Sequence, residues 1–541
     1  MFPNGKMKAP RAFWAAAALL AAAIAGAALP GCRKSGPPAV GATGKPVSIT
    51  VEVYDRGTDS GKSNPADNNW TSWIKEKVLK DENIDVTFVP VNRWDETTAM
   101  NNLMASGTAP DLCYTYNWDM VNSFGLQGGV YDLAPYVDTL LTDLKAFLGP
   151  DPQIPGRDFI WRSQNQDNDA LYGISNRYMY SASYNLFIRK DWLDTLGLGL
   201  PGTPQEYYDA LTAFKEKDPG KVGKNRVVPF TMSTDVRWAA GIILESFIDP
   251  SISFRERWTT TIVERYALTP GYKEGMRFLN KMYNAGLIDP DFPLYKADDL
   301  LTNLIKSGVV GSIAGNWDQP YRDNVSLLVD LQKNVPGALF VPIDSFPSAD
   351  GVTHKRGAPV AGGLTIFVPK TSQKLEAALR YVNWLAREEN LRFLQFGTEG
   401  VNHQMVNGIP RAVSETGLWI MNSAANVDYT PFVNGYAMET PDLTARVLAA
   451  SYPSWPEDVI AEAYRISSFN AEPAPVVTVT LYKAGPLTET LVSKSSAFYI
   501  ESICARPENF DKAWDAGIKD WLVSGAQEVL DERRTKYNGP E

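Results

Sequence analysis

This chain of 541 residues contains little histidine and little cysteine, and it has no excess of positive charge. It contains two histidines, His354 and His403, and three cysteines, Cys32, Cys113 and Cys504. Because these groups are few and widely separated, they argue against a histidine–cysteine metal centre and against a disulfide scaffold. The 62 acidic residues outnumber the 52 lysines and arginines, which gives a net charge of −10. Nucleic acid is therefore not an expected partner.

The sequence motifs of several enzyme classes are also missing. There is no His-Glu-x-x-His, no Gly-x-Ser-x-Gly elbow and no phosphate-binding Gly-x4-Gly-Lys-Ser/Thr loop. A glycosidase carboxylate pair stays open as an alternative, since acids are abundant. Asp167-Asn168-Asp169 offers oxygen ligands, but it lacks the glycine and distal glutamate of a calcium loop and is read as a polar turn. We expect no catalytic residue, no cofactor and no metal.

Long apolar runs are absent beyond the first thirty residues. The run Ala12–Leu29 follows three cations and no acid, and eleven of its residues are alanine, so a cleaved signal peptide is preferred to a membrane span. Its ending, Leu29-Pro30-Gly31-Cys32, resembles the lipobox of bacterial lipoproteins, in which the cysteine is lipidated. We expect residues 1–31 to be the signal peptide, Cys32 the lipidated residue, and 32–45 a flexible tether. Plain secretion and an uncleaved anchor are the alternatives.

The rest of the chain alternates between strand and helix patterns. Val47–Val53 and Ile84–Val91 read as strands, and Asn69–Lys80 has helical spacing between them. Further strands are expected at Asp111–Thr115 and Gly363–Val368. This alternation predicts an α/β fold with mostly parallel sheets. A chain of this length exceeds what one hydrophobic core usually supports, so two or more lobes with a crevice between them are expected.

Several short motifs, spread over most of the chain, carry a family resemblance. They are Ala109-Pro110-Asp111, Gly129-Val130-Tyr131-Asp132-Leu133, Tyr184 to Leu193 (YNLFIRKDWL), Gly271 to Met276 (GYKEGM), Ala285 to Pro290 (AGLIDP), Lys306 to Gly311 (KSGVVG) and Phe396 to Val401 (FGTEGV), with a helix pair at Trp514 to Tyr537. In this order they resemble the extracellular solute-binding proteins of ABC importers, family 1, and within it the large sugar-binding lipoproteins.

The resemblance implies a two-lobed periplasmic-binding-protein fold, type II-like, with doubly wound sheets and a hinged cleft between the lobes. By that template residues 46–178 and 364–430 form lobe 1, and residues 190–355 and 431–541 form lobe 2. The hinge crossings are 179–189 and 356–363. Gly362 and Gly363 are the expected hinge glycines, because glycine absorbs changes in dihedral angle at little steric cost.

Aromatic residues are the first candidates for ligand contact. A flat indole covers the apolar C–H face of a sugar, and tryptophans just beyond predicted strand ends lie where open α/β sheets bind ligands. Trp118 and Trp317 follow predicted strands, and Trp70 begins the first predicted helix after a long loop. Trp238 and Trp317 match platform positions that the resemblance implies. Ordinary packing is the alternative for each, and packing is the preferred role of Trp192, Trp384, Trp514 and Trp521.

Polar candidates flank these rings. Three rings supply only about 1 kcal/mol each, so micromolar binding requires charge-assisted hydrogen bonds as well. The candidates are Asn117, Asp119, Asp235, Arg237, Asn316, Asp318 and Glu399, with solvated surface groups as the alternative.

These patterns predict a lipid-anchored, extracytoplasmic, monomeric binding protein. We expect it to capture a carbohydrate, an oligosaccharide, and to deliver it to the transmembrane permease subunits of an ABC importer. A peptide- or amino-sugar-binding importer subunit is the second hypothesis. A surface glycosidase is the third, and it differs from both because it would turn over its ligand.

Overall fold

The predicted strand–helix–strand unit opens the described part of the chain. The computed structural model describes residues 44–56, 64–179, 184–295, 298–322, 327–354, 361–413, 426–435, 441–452, 455–468, 476–477 and 479–539, all within the unit Thr43–Glu541. Asn68 caps the start of the first helix with a capping box. The Asn68 side chain accepts the backbone N–H groups of Trp70 and Thr71, and the Thr71 hydroxyl accepts the backbone N–H of Asn68.

The strands of the described residues are short and mostly buried. They are β1 (Val47–Asp55), β2 (Ile84–Asn92), β3 (Cys113–Thr115), β4 (Ile174–Tyr178), β5 (Tyr184–Arg189), β6 (Val228–Phe230), β7 (Val310–Asn316), β8 (Phe340–Ile343), β9 (Ala361–Phe367), β10 (His403–Val406), β11 (Ile409–Ala412) and β12 (Val433–Asn434).

Helices make up much of the remainder. They are α1 (Asn69–Glu82), α2 (Glu96–Ser106), α3 (Trp118–Leu126), α4 (Val137–Leu140), α5 (Thr142–Leu148), α6 (Lys190–Leu196), α7 (Pro204–Lys217), α8 (Val236–Ala239), α9 (Gly241–Glu245), α10 (Phe254–Thr260), α11 (Tyr272–Asn284), α12 (Asp298–Lys306), α13 (Leu327–Asn334), α14 (Leu375–Leu385), α15 (Glu388–Phe396), α16 (Asn426–Tyr429), α17 (Pro441–Ala450), α18 (Glu457–Ser468), α19 (Ala484–Cys504), α20 (Phe510–Trp521) and α21 (Gln527–Lys536).

Single helical turns fill several connections. Those with 3-10 geometry are Arg93–Asp95, Ala134–Tyr136, Phe159–Trp161, Lys224–Arg226, Phe292–Leu294, Gln319–Tyr321 and Pro507–Asn509, and a π-helical turn covers Leu522–Ala526. Among the described residues, no helix combines the length and apolarity that crossing a bilayer requires.

The strands form two principal sheets. The first has the order β12-β4-β9-β3, and the parallel pair β1–β2 lies beside it through a bridge between Val51 and Leu112. The second has the order β6-β7-β5-β8. A separate hairpin pairs β10 with β11, with His403 opposite Ala412.

The prediction of mostly parallel sheets is wrong for the described strands. Parallel ladders join β1 to β2, β4 to β12, and β6 to β7, whereas the other five ladders are antiparallel. The reason lies in the connections: β5 follows β4 of the first sheet, and β9 follows β8 of the second. A strand that enters from the other sheet lies antiparallel to its neighbours. The alternation of strands and helices along the sequence does not show where the chain changes sheets, so it does not predict this strand direction.

Each principal sheet has its own hydrophobic core. One cluster joins β1, β2, α1 and α14 and includes Trp70 and Trp384. A second packs α7, α11, α19 and α20 around the second sheet, and a third lies between that sheet and α17 and α18. The tryptophans predicted to pack, Trp192, Trp384, Trp514 and Trp521, are all buried, as predicted.

The predicted limits of the two lobes stay a proposal. Two segments pack with the sheet of the lobe to which they were not assigned. Val433 of β12 pairs with Arg177 in the first sheet, although residue 433 was expected in lobe 2. Phe396 and Ile409 pack in the third cluster with α17 and α18, although residues 364–430 were expected in lobe 1.

The C-terminal segment contacts the helices beside the first sheet. Asn122 of α3 donates to the Leu481 carbonyl at 3.2 Å, and the Tyr482 hydroxyl donates to Asp167. Gly485 packs against the backbone of Asp119 so closely that a Cβ there would lie 2.3 Å from the Asp119 carbonyl oxygen. This glycine is therefore required by the close approach of α19 to α3.

Candidate functional site

Aromatic rings and guanidinium groups gather where β1, β2 and β3 end. These strands run parallel, and the carboxyl ends of parallel strands meet at one edge, where open α/β sheets bind their ligands. The residues at or beyond these ends are Tyr54, Arg56, Arg93, Trp94 and Tyr116, and we call them the arginine–aromatic cluster.

The rings of this cluster enclose Arg93. Its Cζ lies 4.1 Å from the ring centroid of Tyr116, 5.4 Å from that of Tyr54 and 5.6 Å from that of Trp94. Tyr54 and Tyr116 are stacked with centroids 6.0 Å apart. The Trp94 side chain is 52% exposed, and its indole N–H donates to the Arg56 carbonyl at 3.1 Å. Trp94 thus presents a fixed, exposed aromatic face.

Arg56 is held by a buried carboxylate. Its Nε and Nη2 donate to the two oxygens of Asp428 at 2.7 and 2.8 Å, and Nη2 also reaches the Tyr116 hydroxyl at 3.3 Å. Burial lowers the pKa of Arg56, but the Asp428 carboxylate outweighs burial and holds the pKa well above its usual value. Burial raises the pKa of Asp428, an effect that Arg56 opposes.

Two buried carboxyl groups hold the tyrosines in place. Glu96 accepts the Tyr54 hydroxyl and the Tyr116 N–H, the latter at 3.2 Å, and Glu52 accepts the Tyr114 N–H at 2.9 Å. Burial raises the pKa of both carboxyl groups. Both carboxyl groups are buried, so they hold the ends of β1 and β3 in place and are not exposed to a ligand.

A second group of charges connects α3 with the helices of the second sheet. Asp119, in the first turn of α3, lies close enough to Arg533, Glu532 and Glu264 for their charges to change its pKa. Burial raises the pKa of Asp119 to about 6, while Arg533 opposes that rise. Glu264 also pairs with Arg237 at 3.0 Å. Glu264 therefore pairs with one predicted candidate, Arg237, and lies near enough to another, Asp119, for its negative charge to raise the Asp119 pKa.

Arg533 is the cation of this group that sequence reasoning missed. Its Nε donates to the Trp258 carbonyl at 2.9 Å, and its Cζ lies 3.8 Å from the Trp258 ring centroid. Burial lowers the pKa of Arg533 to about 10, and Asp119 counteracts that decrease. Nothing in the C-terminal sequence pattern distinguishes Arg533 from its neighbour Arg534, because only the fold brings it to Asp119.

The other candidates around these charges are partly accessible. Asp235 begins α8, and one of its oxygens lies 3.8 Å from Arg237. Trp238 is half-buried against the second core cluster. Asn117 caps α3 by accepting the Met120 N–H at 3.1 Å, and Trp118, the first residue of α3, is half-buried.

Trp70 is a buried core residue and does not belong to the candidate site. Its side chain is 0% exposed, its indole N–H donates to the Leu394 carbonyl at 2.9 Å, and its ring is stacked on Tyr429 with centroids 4.8 Å apart. Trp70 is the second residue of α1 and faces the core. Because the whole ring is buried, neither of its faces is accessible to a ligand.

Trp317 is also a packing residue in this structure. It is 5% exposed, and the rings of Tyr452 and Tyr464 meet it edge-on at 5.9 and 5.3 Å. Its neighbour Asp318 is buried and accepts Arg322 at 2.7 Å and the Tyr452 hydroxyl. Asn316, the last residue of β7, lies opposite Tyr184. The platform role predicted for Trp317 is not supported, because α17 and α18 cover the ring.

Glu399 and the hinge glycines lie apart from these charges. Glu399 is exposed just before β10, and no contact joins it to another candidate within the described residues. Gly362 and Gly363 lie inside β9. A Cβ on Gly363 would lie 2.7 Å from Asn176 Oδ1, so close packing accounts for this glycine. Cys32 lies outside the described residues, as do residues 180–183 and 355–360 of the expected crossings.

The remaining sequence candidates have structural partners. Cys113 and Cys504 are free thiols rather than a disulfide. Asp167 lies in a turn and contacts Tyr482 and Lys536, and no cluster of three metal-ligating side chains occurs in the ranges described above. His403 is buried with Nδ1 2.8 Å from the Phe396 carbonyl, and His354 contacts Asp350.

Trp94 and Arg93 were missed although the signal was present. Both directly follow β2, the same placement beyond a strand end that selected Trp118. A short Asn92 cap, whose side chain accepts the Trp94 N–H at 2.8 Å, turns the chain at this point and leaves the indole outside the core.

Comparison with known proteins identifies the family. The profile of the bacterial extracellular solute-binding protein family matches residues 67–391, more than half of the chain, so the chain belongs to that family. Its relatives include lipoprotein LipO of Bacillus subtilis strain 168, which is 25% identical over 495 residues, covering 87% of this chain and 89% of LipO. The polygalacturonan/rhamnogalacturonan-binding protein YtcQ of the same organism is 23% identical over 381 residues, covering 64% of this chain and 70% of YtcQ.

The fold is shared with solved structures. The alginate-binding protein AlgQ2 aligns with a TM-score of 0.68 at 19% identity, covering 91% of this chain and 98% of AlgQ2. At this identity the likeness concerns the fold alone. The family resemblance and the two-lobed α/β fold expected from the sequence are thereby confirmed. The family and its structural neighbours are binding proteins rather than enzymes.

Proposed function

We propose that this protein captures a carbohydrate, longer than a single sugar, and delivers it to the permease of an ABC importer. The observation that carries the proposal is Trp94, an exposed indole fixed by its hydrogen bond to the Arg56 carbonyl just beyond the carboxyl ends of β1 and β2. An indole of this kind covers the apolar face of a sugar ring. The names of YtcQ and AlgQ2, which describe both as polysaccharide-binding, support the same ligand class.

The second group of charges would supply the polar part of such a site. One stacked ring contributes about 1 kcal/mol, whereas micromolar binding requires about 8 kcal/mol. Asp119, Asp235, Arg237 and Arg533 offer charged acceptors and donors within one electrostatic group. Each charge-assisted hydrogen bond adds about 1.5 to 3 kcal/mol, so a few of them close the gap.

The ligand is held without chemical change and released at the permease. Lobe 1 carries the arginine–aromatic cluster, and Arg237, Glu264 and Arg533 belong to lobe 2. Ligand would favour the closed arrangement by bridging them, and a preference of a few kcal/mol is enough to shift such an equilibrium. The hinge at 179–189 and 356–363 belongs to this proposal.

The proposed localisation of the protein is the outer face of the cytoplasmic membrane. A diacylglyceryl group on Cys32 with further acylation would anchor the chain durably, while residues 32–45 let the body reach the permease. Replacing Cys32 by Ser should release the protein into the soluble fraction of cells. A protein that still sediments with membranes in that variant would contradict the lipid anchor.

A thermal-shift screen tests the ligand class. The panel contains neutral and acidic oligosaccharides, their monosaccharides, an amino-sugar oligomer and a tetrapeptide mixture, each at millimolar concentration. Stabilisation grows as RT ln(1 + [L]/Kd), so even weak ligands raise the melting temperature. We expect at least one oligosaccharide to do so without being cleaved, as checked by chromatography. Stabilisation by the peptides alone, or hydrolysis of the sugar, would contradict the proposal.

A further inference from the structure

The two guanidinium groups of the arginine–aromatic cluster differ in their partners. Arg56 is engaged by both oxygens of Asp428 and by the Tyr116 hydroxyl. Arg93 is not: its Nε is buried and has no hydrogen-bond partner among the described residues. The carboxylate that pairs with it, Glu96, approaches only to 3.5 Å from Nη1. Arg93 is thus the cation of the cluster that has an N–H without a partner and only one long contact to an acid.

The acid beside Arg93 is already committed to other groups. Glu96 accepts the Tyr54 hydroxyl through Oε2 and the Tyr116 N–H through Oε1 at 3.2 Å. It cannot turn toward Arg93 without breaking these hydrogen bonds. The guanidinium is held by the three rings around it, so its position is set by aromatic packing, and its side chain keeps 22% of its surface exposed.

Position and chemistry together indicate what Arg93 would bind. Trp94 follows it directly, is 52% exposed and offers the ring face for a sugar. The Arg93 Cζ lies 5.6 Å from the centre of that ring, so a group attached to a sugar on Trp94 can reach the guanidinium. A planar guanidinium with unused donors is suited to a carboxylate, which accepts two parallel N–H bonds.

We propose that the ligand is an acidic oligosaccharide and that Arg93 binds the carboxylate of a uronic acid residue stacked on Trp94. This inference rests on the proposed carbohydrate-binding function and deepens it. Arg56 is paired with Asp428 at 2.7 Å, whereas Arg93 lies 3.5 Å from its own acid, Glu96, so Arg93 is the less tightly paired cation of the cluster.

The test compares each acidic sugar with its own neutral form. Trimers of galacturonate, mannuronate, guluronate and glucuronate are measured by isothermal titration calorimetry against the same trimers after reduction of their carboxyl groups. The full-length soluble chain with Cys32→Ser is used throughout. At least one acidic trimer is expected to bind ten times or more as tightly as its reduced form. If no acidic trimer binds more tightly than its reduced form, the inference is overturned.

Arg93→Gln then assigns the preference to one side chain. This variant is expected to lower the ratio of acidic to neutral affinity at least tenfold. Arg392→Gln, the same change at an exposed position on α15, should leave the ratio unaltered. Because both sugars are measured on the same variant, a general loss of active protein cancels from the ratio. An unchanged ratio in Arg93→Gln would overturn the role of Arg93.

A conservative variant covers the case in which Arg93→Gln fails to fold. Arg93→Lys keeps the positive charge among the rings but removes the bidentate guanidinium donor. We expect the ratio of acidic to neutral affinity to fall threefold or more in this variant. An acidic preference that survives in full in Arg93→Lys contradicts bidentate binding.

Failure of the inference and failure of the proposed function have different outcomes. Binding of reduced trimers or other neutral sugars without acidic preference removes the uronate assignment and leaves carbohydrate capture standing. Absence of binding by every sugar in both panels removes both.

Discussion

Arg56 and Asp428 form a bidentate ion pair across 372 residues of sequence, with N–O distances of 2.7 and 2.8 Å. Arg56 directly follows β1, and Asp428 lies in the short helix α16. The pair therefore fixes the carboxyl end of β1 to a segment that lies late in the chain. It also fixes the backbone carbonyl that holds the Trp94 indole.

Breaking this pair should destabilise the protein strongly. Asp428→Asn leaves the buried Arg56 charge without compensation, and we expect a loss of about 3 kcal/mol in the free energy of unfolding. Urea denaturation followed by tryptophan fluorescence measures it. Asp194→Asn removes the acid of the exposed Lys190–Asp194 pair and should cost less than about 0.5 kcal/mol. Equal effects of the two substitutions would contradict the structural role of Asp428.

Two tryptophan substitutions should have opposite signatures. Trp94→Ala is expected to weaken oligosaccharide binding about fivefold while changing the free energy of unfolding by less than about 1 kcal/mol, because the ring is exposed. Trp317→Ala should cost about 3 to 5 kcal/mol of stability, because it empties a packed core position. Calorimetric titration and urea denaturation separate the effects. A stable Trp317→Ala protein with lost binding would restore Trp317 to the site.

Asp119 should make stability depend on pH. Burial raises its pKa in the folded state to about 6, above its usual value near 3.8, so the folded protein holds this proton more tightly. Stability contributed by the bound proton is present below about pH 4 and lost as the pH rises toward 6. Asp119→Asn removes this dependence and should gain about 1 to 2 kcal/mol relative to wild type between pH 4 and 7.

Urea denaturation at both pH values tests the Asp119 effect, with Glu508→Gln as the control for loss of one exposed acid. A stability difference between Asp119→Asn and wild type that is the same at pH 4 and pH 7 would show that Asp119 is not shifted by burial.

Gly485→Ala probes the contact of α19 with α3. Helix propensity alone would make alanine more stable by up to about 1 kcal/mol. The added Cβ would lie 2.3 Å from the Asp119 carbonyl oxygen, so we expect a net loss of about 1 to 3 kcal/mol instead. Ser493→Ala, at an exposed position of the same helix, should show only the propensity effect. A more stable Gly485→Ala protein would contradict the close packing.

Much of the local structure could be predicted because it depends on neighbours in sequence. The strand predicted at 47–53 is observed as Val47–Asp55, and the helix predicted at 69–80 as Asn69–Glu82. Hydrophobic periodicity and the Asn68 cap act within a few residues, so they can be read directly. The strand directions could not be read, because they depend on where the chain crosses between the sheets.

The tryptophans show the limit of the same reasoning. Trp70, Trp94 and Trp317 all lie at the ends or starts of elements, and composition does not distinguish them. Trp70 is covered by Tyr429 and Trp317 by Tyr452 and Tyr464, residues that are more than a hundred positions away in sequence. Trp94 has no such cover and stays 52% exposed.

The sequence by itself determined the family, the positions of several strands and helices, and the strand ends at which ligand-contacting groups are expected, because these follow from local patterns and short motifs. Only the tertiary structure decided which rings remain exposed and which charges meet. Burial and ion pairing are set by segments distant in sequence: Asp428 neutralises Arg56, while Arg533 reaches Asp119 from the last helix.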